Sequence, residues 1–488
     1  MPDQPNILFI LTDQQRYDSL ACYGNAWLQV PTLNRLAEES FVFESAYVTQ
    51  PVCTPSRASI MTGLYPQSTG LHRNNIPLPE NVPVIAEMAP DEYYCAHFGK
   101  WHLGNDTIRQ RGFDHWVSVE DFHRPRYTKR EYRNIEADYN AHLRKHGIEP
   151  PPWKVSYEGW VAGANLPEEL TQAGFLGETA SEFIREYPSG NHGDQPLLMY
   201  LNFFEPHPPY TGPLNDLYDP ASMPVGPAFL KRPESGPLVN RLRADYYMGG
   251  RLNPLGAEGG DFHDTTTEEG WRKLRAQYFA NITLVDRQLA KVFAALVESG
   301  LWDNTVIVFT SEHGEMGGDH GMLEKRSLYE QASRVPLLMR VPGMADRQRQ
   351  IAGSFGHVDL VPTLLELMSA DIPSHLQGRS VLPVLRGEES LAERPAFVQW
   401  NGMGDRNLGT PSINRMVSVP WRSVVTGDRW KLNLSPGDQC ELYDLNNDPD
   451  ELENLFDRPE HRDRIREMAA MIRMWQQETG DAMPLPPV

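Results

Sequence analysis

The chain has 488 residues, of which 40% are hydrophobic, 10% aromatic and 23% charged, an ordinary globular make-up with enough apolar residues for a large core. Its formal net charge of −20 argues against nucleic acid and against an anionic membrane surface as partners. An acidic shell also means that any site for an anion must gather the basic residues it needs into one place.

Length alone allows two or three domains, and one large α/β unit with a smaller partner is expected. The four cysteines, Cys22, Cys53, Cys95 and Cys440, are scattered without C-x-x-C spacing, so neither a zinc site nor a disulfide framework is expected. "ILFIL" (Ile7 to Leu11) is too short for the apolar region of a signal peptide and no basic residue precedes it. No stretch is long enough to span a membrane. A soluble cytoplasmic protein with no membrane partner is the expectation; a secreted form would have had a leader removed.

In chain order, "NILFILTDQQ" reads as a buried parallel strand that ends in polar residues. "PTLNRLAEES" reads as a short helix. "PVCTPSRASIMTG" (Pro51 to Gly63) holds a second one, with Thr54 as N-cap, Pro55 at its first position, Ser56 to Thr62 continuing it and Gly63 ending it. Cys53 then stands at the positive end of a helix, with Arg57 one turn in, an arrangement suited to an anion. Residues 105–195 and 216–267 are rich in charge, aromatics and proline with weak periodicity, and are expected as insertions over the site. Their aromatics, among them Trp153, Trp160, Tyr246 and Tyr247, fit lid core or an oligomer contact as well as stacking on a substrate ring.

Further on, "AQYFANITLVDRQLAKVFAALVESG" places Tyr278, Ile282, Val285, Leu289, Val292 and Leu296 on one helical face, with Gly300 as the stop. "NTVIVFTSEHGE" repeats the pattern of the first strand. Strand–helix–strand alternation predicts an α/β fold, a doubly wound, mostly parallel sheet flanked by helices, with its ligand site beyond the carboxyl ends of the strands. From about Pro395, "PAFVQW", "WRSVVTG", "RWKLNL" and "CELYDL" read as antiparallel strands before a terminal helix near Arg458 to Gln477. The expected division is a catalytic domain over 1–385 and a smaller α+β domain over 386–488.

Two strand tips carry oxygen and nitrogen donors: Asp13 and Gln14 on the first, Glu312 and His313 on the later one. Together they could hold one hard divalent cation, although polar residues also follow buried strands simply because loops are solvated. Lys100 and His102 in "FGKWHLG" would face the same side of an extended segment. His207 sits among prolines in "FFEPHPPY", and "LEKRSLYE" offers Lys325 and Arg326. Each of these alone suits a surface charge or a satisfied core histidine. As a set with Arg57 they could neutralise a tetrahedral oxyanion and its leaving group.

"CTPSRASIMTG" matches the sulfatase signature C-x-P-S-R-x-x-x-x-T-G, and "GKWHLG" resembles the second sulfatase signature. "TDQQR", "PHPPY", "SEHGE", "PTLLEL" and "ELYDLNNDPDELENL" are similar to blocks of the same family in the same order. The chain thus resembles the formylglycine-dependent, arylsulfatase-like family of the alkaline-phosphatase-like superfamily along nearly its whole length, the two insertions apart. The resemblance implies hydrolysis of sulfate monoesters of small molecules or saccharides. It implies that Cys53 is oxidised to formylglycine by a formylglycine-generating enzyme. One hydroxyl of the aldehyde hydrate attacks sulfur, and the other loses a proton and expels sulfate. Carried over by motif, Asp13, Gln14, Glu312, His313 and the oxygen at position 53 are the metal ligands. Arg57, Lys100 and His102 contact the diol or the sulfate, and His207 and Lys325 serve the leaving oxygen, His207 as a possible general acid. Asn74 in "LHRNN" adds a sulfate contact, and Asp359 is a helix-start residue. A helix end contributes roughly 0.3–1 kcal/mol against the about 8–23 kcal/mol that enzymes remove from a barrier. It can therefore only position, and metal, fixed cations and covalent chemistry must do the rest.

Three departures bear on the metal. Relatives usually have Asp where Glu312 stands, often Asn where His313 stands, and many a second Asp in place of Gln14. Calcium is the commoner cofactor of the family and is expected first; the imidazole and the lower negative charge make Mn2+ the alternative. A phosphonate monoester or phosphate diester hydrolase of the same superfamily is the alternative activity; such relatives typically lack the Lys and His of "GKWHLG". A decayed, non-catalytic scaffold would have lost Cys53, Arg57 or Lys100, and all three are present. A homo-oligomer is expected from the size and the insertions.

Overall fold

A computed structural model describes residues 4–120, 123–150, 166–189, 195–249, 264–344, 347–402 and 407–488. The strands of the main sheet are β1 (Asn6–Thr12), β2 (Phe41–Tyr47), β3 (Tyr94–Gly99), β4 (His115–Ser118), β5 (Leu197–Asn202), β6 (Thr305–Ser311), β7 (Arg334–Val335), β8 (Leu337–Arg340) and β9 (Arg349–Gly356). Their order is β4-β3-β5-β1-β6-β8-β2-β7, with β9 beside β2. From β4 to β6 all neighbours run parallel, β8 is antiparallel to both β6 and β2, and β9 is parallel to β2. A second sheet, β10 (Ala396–Trp400), β11 (Trp421–Val425), β12 (Trp430–Leu434) and β13 (Glu441–Asp444), is antiparallel in chain order. This is the expected fold class.

The unbroken apolar run of β1 follows from helices covering both faces of the sheet. Leu8 and Ile10 join one core, while Ile7, Phe9 and Leu11 join the other on the opposite face. The first core is lined by the helix Glu268–Glu298, whose Tyr278, Ile282, Val285, Leu289, Val292 and Leu296 are all buried. Gly300 takes φ +74° just beyond its end, as the stop signal requires.

Parts of 105–195 belong to this architecture rather than to an insertion. Residues 115–118 form the edge strand β4, and the helix Gln172–Glu186 packs on Glu268–Glu298. Its packed face uses small residues, which hide its period. A Cβ on Gly177 would lie 2.7 Å from Gln288 Cβ, so the close approach demands glycine there. In 216–267 the helix Leu238–Met248 is described and its Tyr247 is buried. Trp153 and Trp160 lie outside the described residues. No helix among the described residues is long and apolar enough to cross a membrane.

A buried charge cluster ties the two sheets together. Lys431 on β12 reaches Glu330 at 3.1 Å and Glu451 at 2.9 Å, and Tyr47 of β2 donates to Glu330 at 3.1 Å.

The helix Pro31–Glu38 has no capping side chain of its own, because Val30 precedes it. Asp286, from the long helix, supplies the cap, accepting from Thr32 N at 3.1 Å and Leu33 N at 2.7 Å. Asp286→Ala should cost about 1 kcal/mol of stability, read as a lower urea midpoint. Burial raises the Asp286 carboxyl to about 6 against the two backbone donors. Wild type should therefore lose stability relative to Asp286→Asn as pH rises from about 4 through 6.

Candidate active site

Strand register builds the site. Thr12 of β1 pairs with Ser311 of β6, so Asp13–Gln14 and Glu312–His313 emerge side by side. Leu11 pairs with Asn202 and Asn202 with Gly99, so Lys100 and the loop carrying His207 leave the sheet at the same level. The chains are tied as they turn off, with Glu312 N donating to Thr12 O at 3.0 Å, Phe203 N to Leu11 O at 2.8 Å and Lys100 N to Asn202 O at 3.0 Å. Gly99 has φ +101°, and a Cβ there would stand 2.0 Å from Asn202 O. His102 also has positive φ, +59°, so Lys100 and His102 converge through a turn and not along an extended segment.

The helix Cys53–Thr62 starts earlier than expected. Cys53 is its first residue and the extended Val52 its N-cap. Thr54 is therefore not the cap; its hydroxyl donates to His102 O at 3.1 Å. Asn74 does the capping from outside, its Oδ1 accepting from Thr54 N at 3.0 Å. Gly63 ends the helix at φ +67° as expected.

Ligand atoms of Asp13, Cys53, Glu312 and His313 all lie within 4.8 Å of one another, and all four residues are buried. Cys53 Sγ is 3.4 Å from His313 Nε2, which is 3.1 Å from Glu312 Oε1 and 3.6 Å from Asp13 Oδ1. His313 Nδ1 is 3.0 Å from Gly314 O, which assigns its proton to Nδ1 and turns Nε2 toward the cluster. Basic groups interleave with these acids. Lys100 Nζ lies 2.5 Å from Asp13 Oδ2, and Lys325 Nζ donates to Gln14 Oε1 at 2.5 Å. Arg57 Nε lies against Glu312 Oε2 as an ion pair, while Nη1 donates to Lys100 O at 2.7 Å.

The unsatisfied atoms fit two ligands. Asp13 Oδ1 and Glu312 Oε1 are buried without a hydrogen-bond donor, as acceptors for a cation would be, while Glu312 Oε2 is held by Arg57. Arg57 Nη2 is buried without an acceptor, as a donor for an anion would be. Oxygen donors with one imidazole suit a hard or borderline divalent ion.

The local fields follow from this interleaving. Burial alone would raise the Asp13 carboxyl, but Lys100 holds it well below the usual range. Burial, with Asp13 and Cys53 beside it, pushes Glu312 up to about 8 in spite of Arg57. Burial opposes ionisation of the Cys53 thiol too, yet Lys325, Lys100 and His313 together bring it well below its ordinary value. Burial, then His123, pushes His102 down to about 3, and burial with Lys325 lowers His207.

The structure thus gathers Asp13, Gln14, Cys53, Arg57, Lys100, His102, His207, Glu312, His313 and Lys325 about one point. Asn74 stands beside them through Thr54. Asp359 stands at the start of the helix Leu360–Leu367, as expected, with its side chain accepting from Arg379 N at 2.7 Å rather than from the helix. Sequence reasoning missed the residues behind His102. His102 Nε2 is 3.1 Å from Asn75 Oδ1, Asp106 accepts from His102 N at 2.9 Å, and His123 stacks on the imidazole with centroids 4.5 Å apart. The second asparagine of "LHRNN" and Asp106, two residues past "FGKWHLG", lie beside quoted motifs; His123 falls further inside the stretch read as an insertion.

Such a cluster at the carboxyl ends of a parallel sheet, with a cysteine at a helix start, fits a hydrolase of the alkaline-phosphatase-like class. The model of the sulfatase family matches residues 5–370, and that of the N-sulphoglucosamine sulphohydrolase C-terminal region matches residues 318–478. The uncharacterized sulfatase YidJ of Escherichia coli (strain K12) is 30% identical over 93% of this chain and 83% of its own. The multifunctional alkaline phosphatase superfamily protein PehA of Trinickia caryophylli is 28% identical over 98% of this chain and 96% of its own. The crystal structure of the phosphonate monoester hydrolase of Agrobacterium radiobacter superposes with a TM-score of 0.75 at 26% identity, covering 98% of this chain and 96% of that one. The chain belongs to the sulfatase family. It is an enzyme of that family, a hydrolase of sulfuric ester bonds.

Lys100 is 2% exposed and is the cation that faces Asp13 Oδ2. In chelator, Lys100→Met should cost about 3–5 kcal/mol by leaving that carboxylate buried and unpaired. Added Ca2+ or Mn2+ should narrow the gap in melting temperature between variant and wild type. Equal melting temperatures in chelator would contradict the pairing described.

Proposed function

We propose that the protein hydrolyses sulfate monoesters at residue 53, with Cys53 matured to formylglycine and a divalent cation held by Asp13, Gln14, Glu312 and His313. The observation that supports this reading most is the position of Cys53 at a helix start, within the same 4.8 Å cluster as Asp13, Glu312 and His313. A bound cation would supply Lewis-acid polarisation there, and a formylglycine hydrate two hydroxyls, one to attack sulfur and one to expel sulfate. Calcium is the first candidate and Mn2+ the second, favoured by His313 and by the neutral Gln14.

The remaining roles fall to the chain's own groups. Arg57, through Nη2, and Lys100 hold the sulfate oxygens. His102 contacts the hydrate, its position set by Asn75 and Asp106. Asn74 keeps the first turn of the helix in place and leaves its amide nitrogen for a sulfate oxygen. Lys325 faces the leaving oxygen. His207 Nδ1 is 2.7 Å from Pro208 O and carries the proton there. In the neutral ring Nε2 is then a base, so His207 must take a proton before it returns one to the leaving group. The four cysteines are free thiols, in keeping with a cytoplasmic enzyme matured by a formylglycine-generating enzyme.

One observation favours a second reading, a phosphonate monoester hydrolase: the 26% identity to the Agrobacterium radiobacter enzyme over nearly the full length of both chains. Lys100 and His102 weigh for sulfate. Protein co-expressed with a formylglycine-generating enzyme should yield a peptide spanning residue 53 with the mass of formylglycine. Its kcat/KM should be higher for an aryl sulfate than for the matching aryl phosphonate monoester, and Cys53→Ala should reduce turnover to background. Unmodified cysteine in active protein would refute the nucleophile; the opposite substrate ranking would favour the second reading.

A further inference from the structure

Gln14 is the weakest link in the ligand set, because an amide presents either its oxygen or its NH2 group to a cation. Its orientation is decided behind the site. Gln14 Nε2 donates to Glu315 Oε2 and, at 3.2 Å, to the Tyr210 hydroxyl. Tyr210 in turn donates to Glu315 Oε2 at 2.7 Å. Both amide hydrogens are then committed to acceptors on one side, and Oε1 must point to the other, where Lys325 Nζ meets it at 2.5 Å. The backbone is pinned as well: Gln14 has φ +75°, and Tyr278 donates to its carbonyl at 2.7 Å.

The second oxygen of the same carboxylate is equally occupied. Glu315 Oε1 accepts from Gly317 N at 2.8 Å and from Glu324 N at 2.6 Å, the residue before Lys325. Tyr210 ends the "FFEPHPPY" segment that carries His207. One fully buried side chain therefore touches the strand tip with Gln14, the loop with Lys325 and the loop with His207, accepting from Gln14 Nε2, the Tyr210 hydroxyl, Gly317 N and Glu324 N while the Glu324 carboxylate stands near it as a like charge.

We infer that Glu315 is a positioning residue that turns the Gln14 amide oxygen toward the cation site and holds the Lys325 and His207 loops in register with it. This inference rests on reading Gln14 as a metal ligand. Glutamine at 315 keeps the shape but has a single acceptor oxygen. Either its NH2 faces the Gln14 amide and the Tyr210 hydroxyl, or it faces the two backbone N–H groups. The first arrangement drives the Gln14 amide to flip and present NH2 to the cation.

The test uses full-length protein stripped with chelator and titrated with Ca2+ and with Mn2+. Glu315→Gln should bind the ions about 10–100-fold more weakly than wild type. The double variant Gln14→Glu with Glu315→Gln swaps donor and acceptor across the same contact. It should recover most of the affinity, which a merely structural loss would not. Wild-type affinity in Glu315→Gln would overturn the inference, and so would a loss that the swap fails to restore. Gln14→Ala separates the underlying reading. Unchanged affinity there removes Gln14 from the ligand set, whereas weakened affinity there with none in Glu315→Gln sinks only the role of Glu315.

Discussion

The parallel register of β1 with β5 and β6 is the constraint on which the rest of the site depends. Thr12 opposite Ser311 and Leu11 opposite Asn202 bring the tips of these strands to one level. Polar chains that leave the sheet there must diverge over its carboxyl edge, and they open the crevice that such sheets provide. A slip of one residue would send Ile7, Phe9 and Leu11 to the wrong core and Asp13 away from Glu312. The two cores, one on each face of the sheet, therefore protect the geometry of the site as much as they stabilise the fold.

Charge is organised on that frame by alternation. Asp13 faces Lys100, Glu312 faces Arg57, and Gln14 faces Lys325, all buried. Burying any one of the ions among them alone would cost several kcal/mol; Lys100 holds Asp13 ionised, Arg57 offsets part of the burial of Glu312, and the neutral Gln14 amide oxygen accepts from Lys325. This is how a chain of net charge −20 gathers Arg57, Lys100 and Lys325 into one buried cluster. The same alternation leaves some buried acceptors and one guanidinium nitrogen unpaired, in keeping with a cation and an oxyanion as the natural complement.

Much of this was legible in the sequence because it follows local rules. A short apolar run ending in donors marks a strand tip, so Asp13, Gln14, Glu312 and His313 were found without any structure. The four-strand pattern after Pro395 was equally plain. Lys325 and His207 carried no local signal and entered only with the other cations and the motif resemblance. The helix Cys53–Thr62 starts one residue before Thr54, which has the chemistry of a cap but whose hydroxyl is drawn to His102 O instead. The helix Gln172–Glu186 was hidden because Gly174, Gly177 and Ser181 occupy its packed face. Positioning contacts such as Asn75 to His102 join residues distant in the chain, and no period or spacing announces them.

Sulfate and phosphonate esters each bring a compact oxyanion and a leaving oxygen. What both readings share is the cation. Crystals grown with Mn2+ and measured for its anomalous scattering would test that shared claim most directly. One strong peak is expected, bonded at once to Asp13, Gln14 Oε1, Glu312 and His313 Nε2, with residue 53 beside it. A peak that leaves out the β1 tip or the β6 tip, or none there in protein that turns over substrate, would contradict it.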